Sequence, residues 1–318
     1  MTKQILFSLL ALLLYFAGLA QAEAPPAILV SSGGELTYRT PNSKQSQKLV
    51  DGAVLKNTGT IRLKKRSSAL LLSNGNFVQV STKGKYPLAE LFPQSQDETR
   101  RLSFDVTFSD YLMSAVLLAA DPDNAADAWG GIRTSTGTGD GWGGQGTKIF
   151  AIQPMGKILP QATVFRWSRP AGNPTYRLQL KDENGQVRLE TSTRDTAFSV
   201  DLSQAVFSGA GRIEWQVAAE GNDGMVSNPL FISFATPADI AAALAQAQTA
   251  PTYANSTPTV QQLMEAIALE RKDFFDAAAQ RYQEVQRADS RSEMVRLMHA
   301  AFWLRHGMKS MATAVYND

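Results

Sequence analysis

Apolar and polar residues alternate through five short runs between Phe165 and Phe234, with the period of two that belongs to strands with one buried face. The apolar residues of these runs are Phe165, Trp167, Tyr176, Leu178, Leu180, Phe198, Val200, Leu202, Ile213, Trp215, Val217, Leu230, Ile232 and Phe234. Asn184-Gly185 supplies a hairpin turn between two runs. Residues 148–235 are therefore predicted to form a β-sandwich with Trp167 and Trp215 in its core.

This segment resembles a fibronectin type III or immunoglobulin-like sandwich without a disulfide, because the chain contains no cysteine. Such families mostly present binding surfaces or act as spacers, so the resemblance implies one of those roles. The lack of cysteine also excludes thiolate metal sites, cysteine nucleophiles and a lipid-modified cysteine.

A second β-rich region lies upstream. Short alternating runs occur at Leu36–Tyr38 and Ile61–Leu63. The apolar runs Ala69–Leu72 and Phe77–Val80 flank Asn74-Gly75, which suits a two-residue type I′ hairpin. Strands that each bury one face predict a small sandwich or curled sheet.

The run Leu49–Phe92 reads LVDGAVLKNTGTIRLKKRSSALLLSNGNFVQVSTKGKYPLAELF. Its glycine turn, short strand, threonine-glycine step, apolar strand and hairpin resemble the periplasmic domain of FecR-type proteins. FecR-type regulators relay a signal from an outer-membrane receptor to a sigma factor. The resemblance implies a FecR-like β domain over residues 27–92 and a role in envelope signalling as one alternative.

The first twenty-two residues have the pattern of a secretory signal. Lys3 gives the charged start, Ile5–Leu19 is an uncharged apolar run, and Ala20-Gln21-Ala22 gives the cleavage site. The apolar run is shorter than the roughly 20 residues that span a bilayer, so cleavage after Ala22 is favoured over an uncleaved anchor. The sequence therefore predicts a periplasmic, secreted or cell-surface protein with no transmembrane span after cleavage.

A helix and a linker are predicted between the two β regions, over residues 93–147. Ser109 is placed to cap the helix, whose apolar residues are Tyr111, Leu112, Ala115, Val116 and Leu118. The stretch Asp121–Gly146 is rich in glycine, aspartate and threonine, which is typical of a linker.

The C-terminal end contains a repeat of 34 residues. It superposes Leu263 on Leu297, Met264 on Met298, Ala266 on Ala300, Arg271 on Arg305, Ala278 on Ala312 and Tyr282 on Tyr316. Residues 236–258 are predicted to be an Ala- and Gln-rich helix and a linker, and residues 259–318 to be helical. Ser290 and Glu293 have the spacing of a capping box at the start of the second repeat.

The period and the small residues of this end resemble tetratricopeptide repeats. Stacked repeats need about three units to bury a continuous core, so a pair is expected to dock on a neighbour or on a second chain. The candidate docking residues are Leu263, Met264, Tyr282, Leu297, Met298 and Tyr316.

Few residues suggest catalysis or a cofactor. The two histidines, His299 and His306, lie about 10 Å apart along one predicted helix, too far to share a zinc ion. The glycine-rich run Gly137–Lys148 lacks the strand and helix that flank phosphate-binding loops. The aspartates of Asp121–Asp127 lack the glycine and glutamate of an EF-hand. No catalytic, cofactor-binding or metal-ligating residue is therefore assigned.

The densest basic cluster of the first module consists of Arg62, Lys64, Lys65 and Arg66. Two interpretations remain open: a strand edge that charge protects from aggregation, or a contact with anionic glycan or lipid headgroups. The formal net charge of the whole chain is only +2, which does not favour nucleic acid as a partner.

The sequence thus predicts a mainly β protein with a C-terminal α region: a FecR-like module, a fibronectin-like sandwich and a tetratricopeptide-like hairpin. The leading hypothesis is an exported, noncatalytic binding or scaffold protein without cofactors that contacts an envelope protein. Two alternatives are a ligand-sensing component of a FecR-type system and a carbohydrate-binding accessory protein or hydrolase, with Trp142 as an aromatic candidate. A homo-oligomer also remains open.

Overall fold

The computed structural model of the protein describes residues 26–73, 76–92, 104–120, 148–172, 174–222 and 224–317. Sixteen strands and seven helices lie in these ranges. The sheets are mostly antiparallel and occupy the N-terminal part, and five of the seven helices follow the last strand, so the broad β-then-α prediction is confirmed. The predicted signal sequence, Asn74-Gly75 and Asp121–Gly146, with Trp142, lie outside the described residues.

The first β module consists of two four-stranded antiparallel sheets. Its strands are β1 Ala27–Gly33, β2 Leu36–Arg39, β3 Gln47–Lys48, β4 Val54–Leu55, β5 Thr60–Leu63, β6 Ser68–Ser73, β7 Asn76–Val80 and β8 Gly84–Pro87. We call the β4-β1-β6-β7 sheet the inner sheet and the β3-β2-β5-β8 sheet the outer sheet. Leu29 and Leu71 of the inner sheet pack against Leu36 and Ile61 of the outer sheet in one apolar core.

The inner sheet is buried on both faces. Its opposite face carries Ile28, Val30, Leu70 and Leu72, which belong to the core of the helical region. The central strands β1 and β6 therefore read as continuous apolar runs rather than as alternating ones, as strands covered on both sides do. The resulting order of layers is outer sheet, inner sheet and helices.

The second β module is a sandwich of eight strands. They are β9 Ala151–Gln153, β10 Gly156–Ile158, β11 Ala162–Trp167, β12 Tyr176–Asp182, β13 Val187–Thr193, β14 Ala197–Asp201, β15 Arg212–Ala219 and β16 Leu230–Phe234. One sheet has the order β10-β16-β15-β12-β13 and the other β14-β11-β9. Trp167 and Trp215 are buried between them, as predicted. The indole of Trp215 also donates a hydrogen bond to the Pro154 carbonyl oxygen at 2.8 Å.

Seven helices complete the described chain. They are α1 Leu88–Leu91, α2 Phe104–Ala120, α3 Pro237–Gln248, α4 Pro258–Arg271, α5 Phe275–Ala288, α6 Glu293–Arg305 and α7 Lys309–Asn317. Thr236 and Asp239 form a capping box at the start of α3, and Thr257 caps α4. None of these helices combines the length and the apolar character that crossing a membrane requires.

Two helix starts differ from the prediction. Helix α2 begins at Phe104 rather than at Ser109, which is buried inside the helix. The longer helix places Phe108 against Phe77 of the inner sheet, with ring centroids 5.7 Å apart. Helix α6 is capped by Ser292 rather than Ser290, since the Ser292 hydroxyl accepts a hydrogen bond from the Val295 amide at 3.3 Å.

The helical region docks within its own chain. Phe108 and Leu112 of α2 share one core with helices α3 to α7 and with the inner sheet. The Arg271 guanidinium of α4 also donates a hydrogen bond to the Thr107 hydroxyl of α2 at 2.9 Å. The neighbour that the paired helices were expected to need is thus supplied by α2 and the inner sheet.

A buried ion pair joins α4 to α6, the first helices of the two repeats. Both Glu270 carboxylate oxygens accept hydrogen bonds from Arg305, from Nε and Nη2, each at 2.7 Å. The Tyr282 hydroxyl donates a third bond to Glu270 at 3.3 Å. Burial alone would raise the pKa of Glu270, but the charge and hydrogen bonds of Arg305 outweigh it and lower that pKa to about 2.

We expect Glu270→Gln to lower the free energy of unfolding by about 3 to 5 kcal/mol, because it leaves the buried Arg305 charge without its carboxylate. Denaturant titration measures this loss, and the double variant Glu270→Met with Arg305→Met should recover much of it. The lowered pKa stabilises the wild type above pH about 4, and this contribution is lost as the pH falls towards about 2. A double variant as unstable as the single one would contradict this account.

The sandwich contacts the helical region through Gly156. The amide of Lys157 donates a hydrogen bond to the Asp273 carbonyl oxygen, between α4 and α5, at 2.7 Å. Gly156 has φ of +74°, and a Cβ atom there would lie 2.2 Å from that oxygen and 2.6 Å from the Phe275 ring. Phe275 packs against both the helical core and the sandwich core. Glycine is therefore required at this position by conformation and by space.

We expect Gly156→Ala to lower the free energy of unfolding by about 3 kcal/mol or more, because the new methyl group pushes the sandwich away from the helices. Gly185→Ala is the matched control, since Gly185 has φ of +78° with nothing within 4 Å of its added Cβ. The control should lose only the conformational term of about 1 kcal/mol. Equal losses in thermal or denaturant unfolding would show that the contact contributes little.

Candidate functional site

The structure places five of the six predicted docking residues inside the protein. Leu263, Met264, Tyr282, Leu297 and Met298 all belong to the helical core. Their side chains pack within this chain, so at these five positions the helices meet a neighbour in the same chain, which is one of the two expected alternatives. The sixth residue, Tyr316 on α7, is 46% exposed and can contact a partner.

A cleft of about 690 Å³ lies between the sandwich and the helices. Its volume falls in the range of ligand-binding clefts. One wall is the outward face of strands β9 and β11, and the other is formed by helices α5, α6 and α7. We call this space the cleft.

The sheet wall follows from the alternation along β11. Phe165 and Trp167 point into the sandwich core, so Val164 and Arg166 point outward into the cleft. Gln153 of β9 lies opposite Arg166 in the ladder and lines the same wall. Val164 is 38% exposed, so it presents apolar surface to the cleft.

The helix wall combines amide and apolar side chains. Asp276, Gln280 and Gln283 stand at positions i, i+4 and i+7 of α5 and therefore share one face. Helix α7 contributes an apolar strip to the same wall, and this strip includes Met311 and Val315. The cleft thus combines hydrogen-bonding groups with apolar surface.

His299 and Trp303 form a hydrogen-bonded pair at the α6 side of the cleft. The Trp303 indole donates to His299 Nε2 at 3.0 Å, so that nitrogen acts as the acceptor. Nδ1 then carries the proton and faces Gln286 Oε1 at 2.6 Å. Burial lowers the pKa of His299 to about 4, which keeps the imidazole neutral near pH 7. The pair therefore contributes shape and orientation to the wall rather than charge.

Asp276 is the titratable side chain of the cleft whose pKa is shifted most. Its side chain lines the cleft, and desolvation by the surrounding protein raises the pKa of the carboxyl to about 7. A hydrogen bond from the Met155 backbone offsets part of this desolvation. An incoming hydrogen-bond donor or cation would restore the interactions that the ionised carboxylate lacks, which marks Asp276 as a binding group.

We expect Asp276→Asn to stabilise the protein at pH 8 by about 1 to 2 kcal/mol, and to have little effect near pH 4. The raised pKa means that the folded state holds the proton while the unfolded chain releases it, so wild-type stability falls between pH about 4 and about 7. Denaturant titrations of both proteins across this pH range measure the difference. A difference that does not change with pH would contradict the raised pKa.

The four predicted basic residues are all exposed. Arg62 lies on strand β5 of the outer sheet, and Lys64, Lys65 and Arg66 follow in the turn after it. Lys64 forms a salt bridge with Glu35 at 2.7 Å. The cluster is on the outer sheet and is not part of the cleft.

Among the described residues, no three His, Cys, Asp or Glu side chains are grouped so that they could hold a metal ion. His306 instead lies beside the buried ion pair, with Nε2 3.3 Å from Glu270 Oε1. The calcium alternative at Asp121–Asp127 and the glycine-rich run Gly137–Lys148 fall almost wholly outside the described residues.

Comparison with known proteins does not identify a family. The sequence matches no protein-family model, and it matches no curated protein.

The sequence contained part of the signal for the cleft. Val164 occupies an outward position of an alternating strand, where a polar residue is expected. The spacing of Asp276, Gln280 and Gln283 defines one polar helix face. What faces that helix could not be inferred, because the walls are separated by more than a hundred residues in the chain.

Proposed function

We propose that the protein is an exported, noncatalytic adaptor that holds a short amphipathic segment of another envelope protein in the cleft. The observation that carries this proposal is that one cleft combines apolar surface with hydrogen-bonding groups. The apolar surface comes from exposed Val164 and the strip of α7, and the hydrogen-bonding groups come from the polar face of α5. Apolar anchors with a few fixed polar groups are the usual composition of a peptide-binding groove. The partner segment places apolar side chains between Val164 and α7 and a hydrogen-bond donor against Asp276.

The modular resemblances support the same reading. The FecR-like, fibronectin-like and tetratricopeptide-like features belong to families that work through exposed surfaces, and the secretory pattern of residues 1–22 points to the envelope. The two sheets of residues 148–235, and the contacts of α4 with α5 and of α6 with α7, are compatible with a chain built from modules.

The lining is better suited to a polypeptide than to a charged small molecule. Gln153, Gln280 and Gln283 each offer a donor and an acceptor, which can pair with the backbone groups of an extended or helical segment. The one guanidinium of the lining, on Arg166, shares the cleft with the Asp276 carboxyl. Binding through backbone and apolar contacts therefore needs no strong net charge in the ligand.

A photocrosslinking experiment tests the cleft directly. A photoactivatable phenylalanine analogue replaces Val164 in the full chain expressed in its native envelope, and in a second strain it replaces Val187. Val187 is also an exposed strand valine, but it lies on β13, at the edge of the other sheet of the sandwich. We expect a discrete protein adduct from position 164 and none from position 187.

A second pair of variants shows whether the adduct depends on the cleft. Ala314 and Ala245 are exposed helical alanines, on α7 and α3, and Ala314 lines the cleft. Ala314→Glu should abolish the adduct by placing a charge in the apolar strip, whereas Ala245→Glu should leave it unchanged. An adduct that forms equally at both valines, or that survives Ala314→Glu, would refute the adaptor proposal.

A further inference from the structure

We propose that the solvent face of the outer sheet is a docking surface for anionic phospholipid headgroups. This surface is separate from the cleft and does not depend on the function proposed for it. It consists of Arg39, Lys48, Arg62 and Lys85 on the strands, with Lys65 and Arg66 in the adjoining turn. We call it the basic face.

Charge is distributed unevenly along the chain. Residues 26–92 contain ten Lys and Arg against three Asp and Glu, a net charge of +7. Residues 93–318 contain twenty Lys and Arg against twenty-five Asp and Glu, a net charge of −5. The overall value of +2 therefore conceals a strongly basic module attached to an acidic remainder.

The strand register gathers basic residues from distant parts of the sequence into one row. Thr37 pairs with Lys48 on one side and with Arg62 on the other, and Arg62 pairs with Lys85. The three basic side chains are all exposed, and Arg39 stands two residues from Thr37 on the same face. Like charges directly opposite each other destabilise a sheet, and an anion bound at this face would relieve the repulsion between Arg62 and Lys85.

The corner next to this row adds more positive charge. The Ser67 hydroxyl holds the turn, because it accepts a hydrogen bond from the Glu35 amide at 2.9 Å and donates one to the Glu35 carbonyl oxygen at 3.1 Å. Glu35 forms a salt bridge with Lys64 that partly neutralises its charge, and Lys65 and Arg66 add two further exposed cations to the turn. Glu35 and Lys64 thus serve mainly to fix the corner, and Arg62 rather than Lys64 is the centre of the basic face.

The basic face is a surface rather than a pocket, and its backing is rigid. The reverse side of the outer sheet buries Leu36, Tyr38, Ile61 and Leu63 in the core of the first module. The inner sheet and the helices lie behind that core. A broad face of this kind, with cations on all four of its strands or their flanks, matches a planar array of anionic headgroups.

Other polyanions fit this face less well. The outward residues of β2, β3, β5 and β8 include no aromatic ring, since Tyr38 and Tyr86 belong to the inward positions. Single-stranded nucleic acids use aromatic side chains as stacking platforms, and duplex DNA is read by a helix or ribbon that enters a groove. The arrangement therefore favours a lipid surface.

Vesicle binding tests the proposal. The full protein is mixed with vesicles of phosphatidylcholine and phosphatidylglycerol in roughly equal amounts, and with vesicles of phosphatidylcholine alone, and is then sedimented. We expect binding only to the anionic vesicles, and a steep loss of binding as salt is raised, because surface charges are screened. Each Lys or Arg near such a surface is worth about fivefold in partitioning, so Arg62→Gln with Lys85→Gln should weaken binding about 25-fold.

A matched variant shows whether binding depends on the basic face itself or only on the net charge of the protein. Arg177→Gln with Arg194→Gln removes the same charge from exposed positions on the sandwich and should leave vesicle binding within about twofold. Circular dichroism melting confirms that both double variants are folded. Equal weakening by the two variants, or binding to phosphatidylcholine alone, would overturn the proposal.

Two further measurements test whether the basic face binds nucleic acid or a second copy of the protein instead of lipid. Tighter binding to a single-stranded oligonucleotide than to anionic vesicles would assign the basic face to nucleic acid and overturn the lipid proposal. Salt-sensitive self-association without vesicles, seen by light scattering and abolished by Arg62→Gln with Lys85→Gln, would assign it to the acidic surface of a second copy and overturn it as well. Neither result would affect the crosslinking test of the cleft.

Discussion

The burial of both faces of the inner sheet is the constraint on which the rest of the architecture depends. Ile28, Val30, Leu70 and Leu72 face the helices, while Leu29 and Leu71 face the outer sheet. Full burial of such side chains is worth about 1.5 to 3 kcal/mol each, so the four that face the helices represent a large share of a typical folding free energy. The helical region and the first module therefore stabilise each other rather than fold as separate units.

The local periodicity of the sequence accounts for much of the fold. The alternation correctly placed Trp167 and Trp215 in a sandwich core, because a strand with one buried face has an apolar residue at every second position. The sequence also contains a sign that the inner sheet is buried on both faces, since the runs Ala27–Val30 and Ala69–Leu72 are apolar without alternation. The prediction that each strand of this region buries only one face was therefore wrong for the inner sheet, and the joint core with the helices was missed.

Long-range packing explains what the sequence could not reveal. The 34-residue repeat located side chains such as Leu263 and Met298 that are indeed apolar contacts, but it could not tell which surface covers them. Ser109 has the propensity of a cap, yet tertiary contact of Phe108 with Phe77 extends α2 beyond it. The cleft and the basic face likewise arise from elements distant in sequence, so only the three-dimensional arrangement brings their residues together.

The backbone contact between Lys157 and Asp273 has a mechanical consequence. Strand β10 pairs with β16 inside the sandwich and, one residue after Gly156, bonds to the turn between α4 and α5. Separation of the sandwich from the helices would therefore have to break this hydrogen bond and expose the Phe275 ring to water.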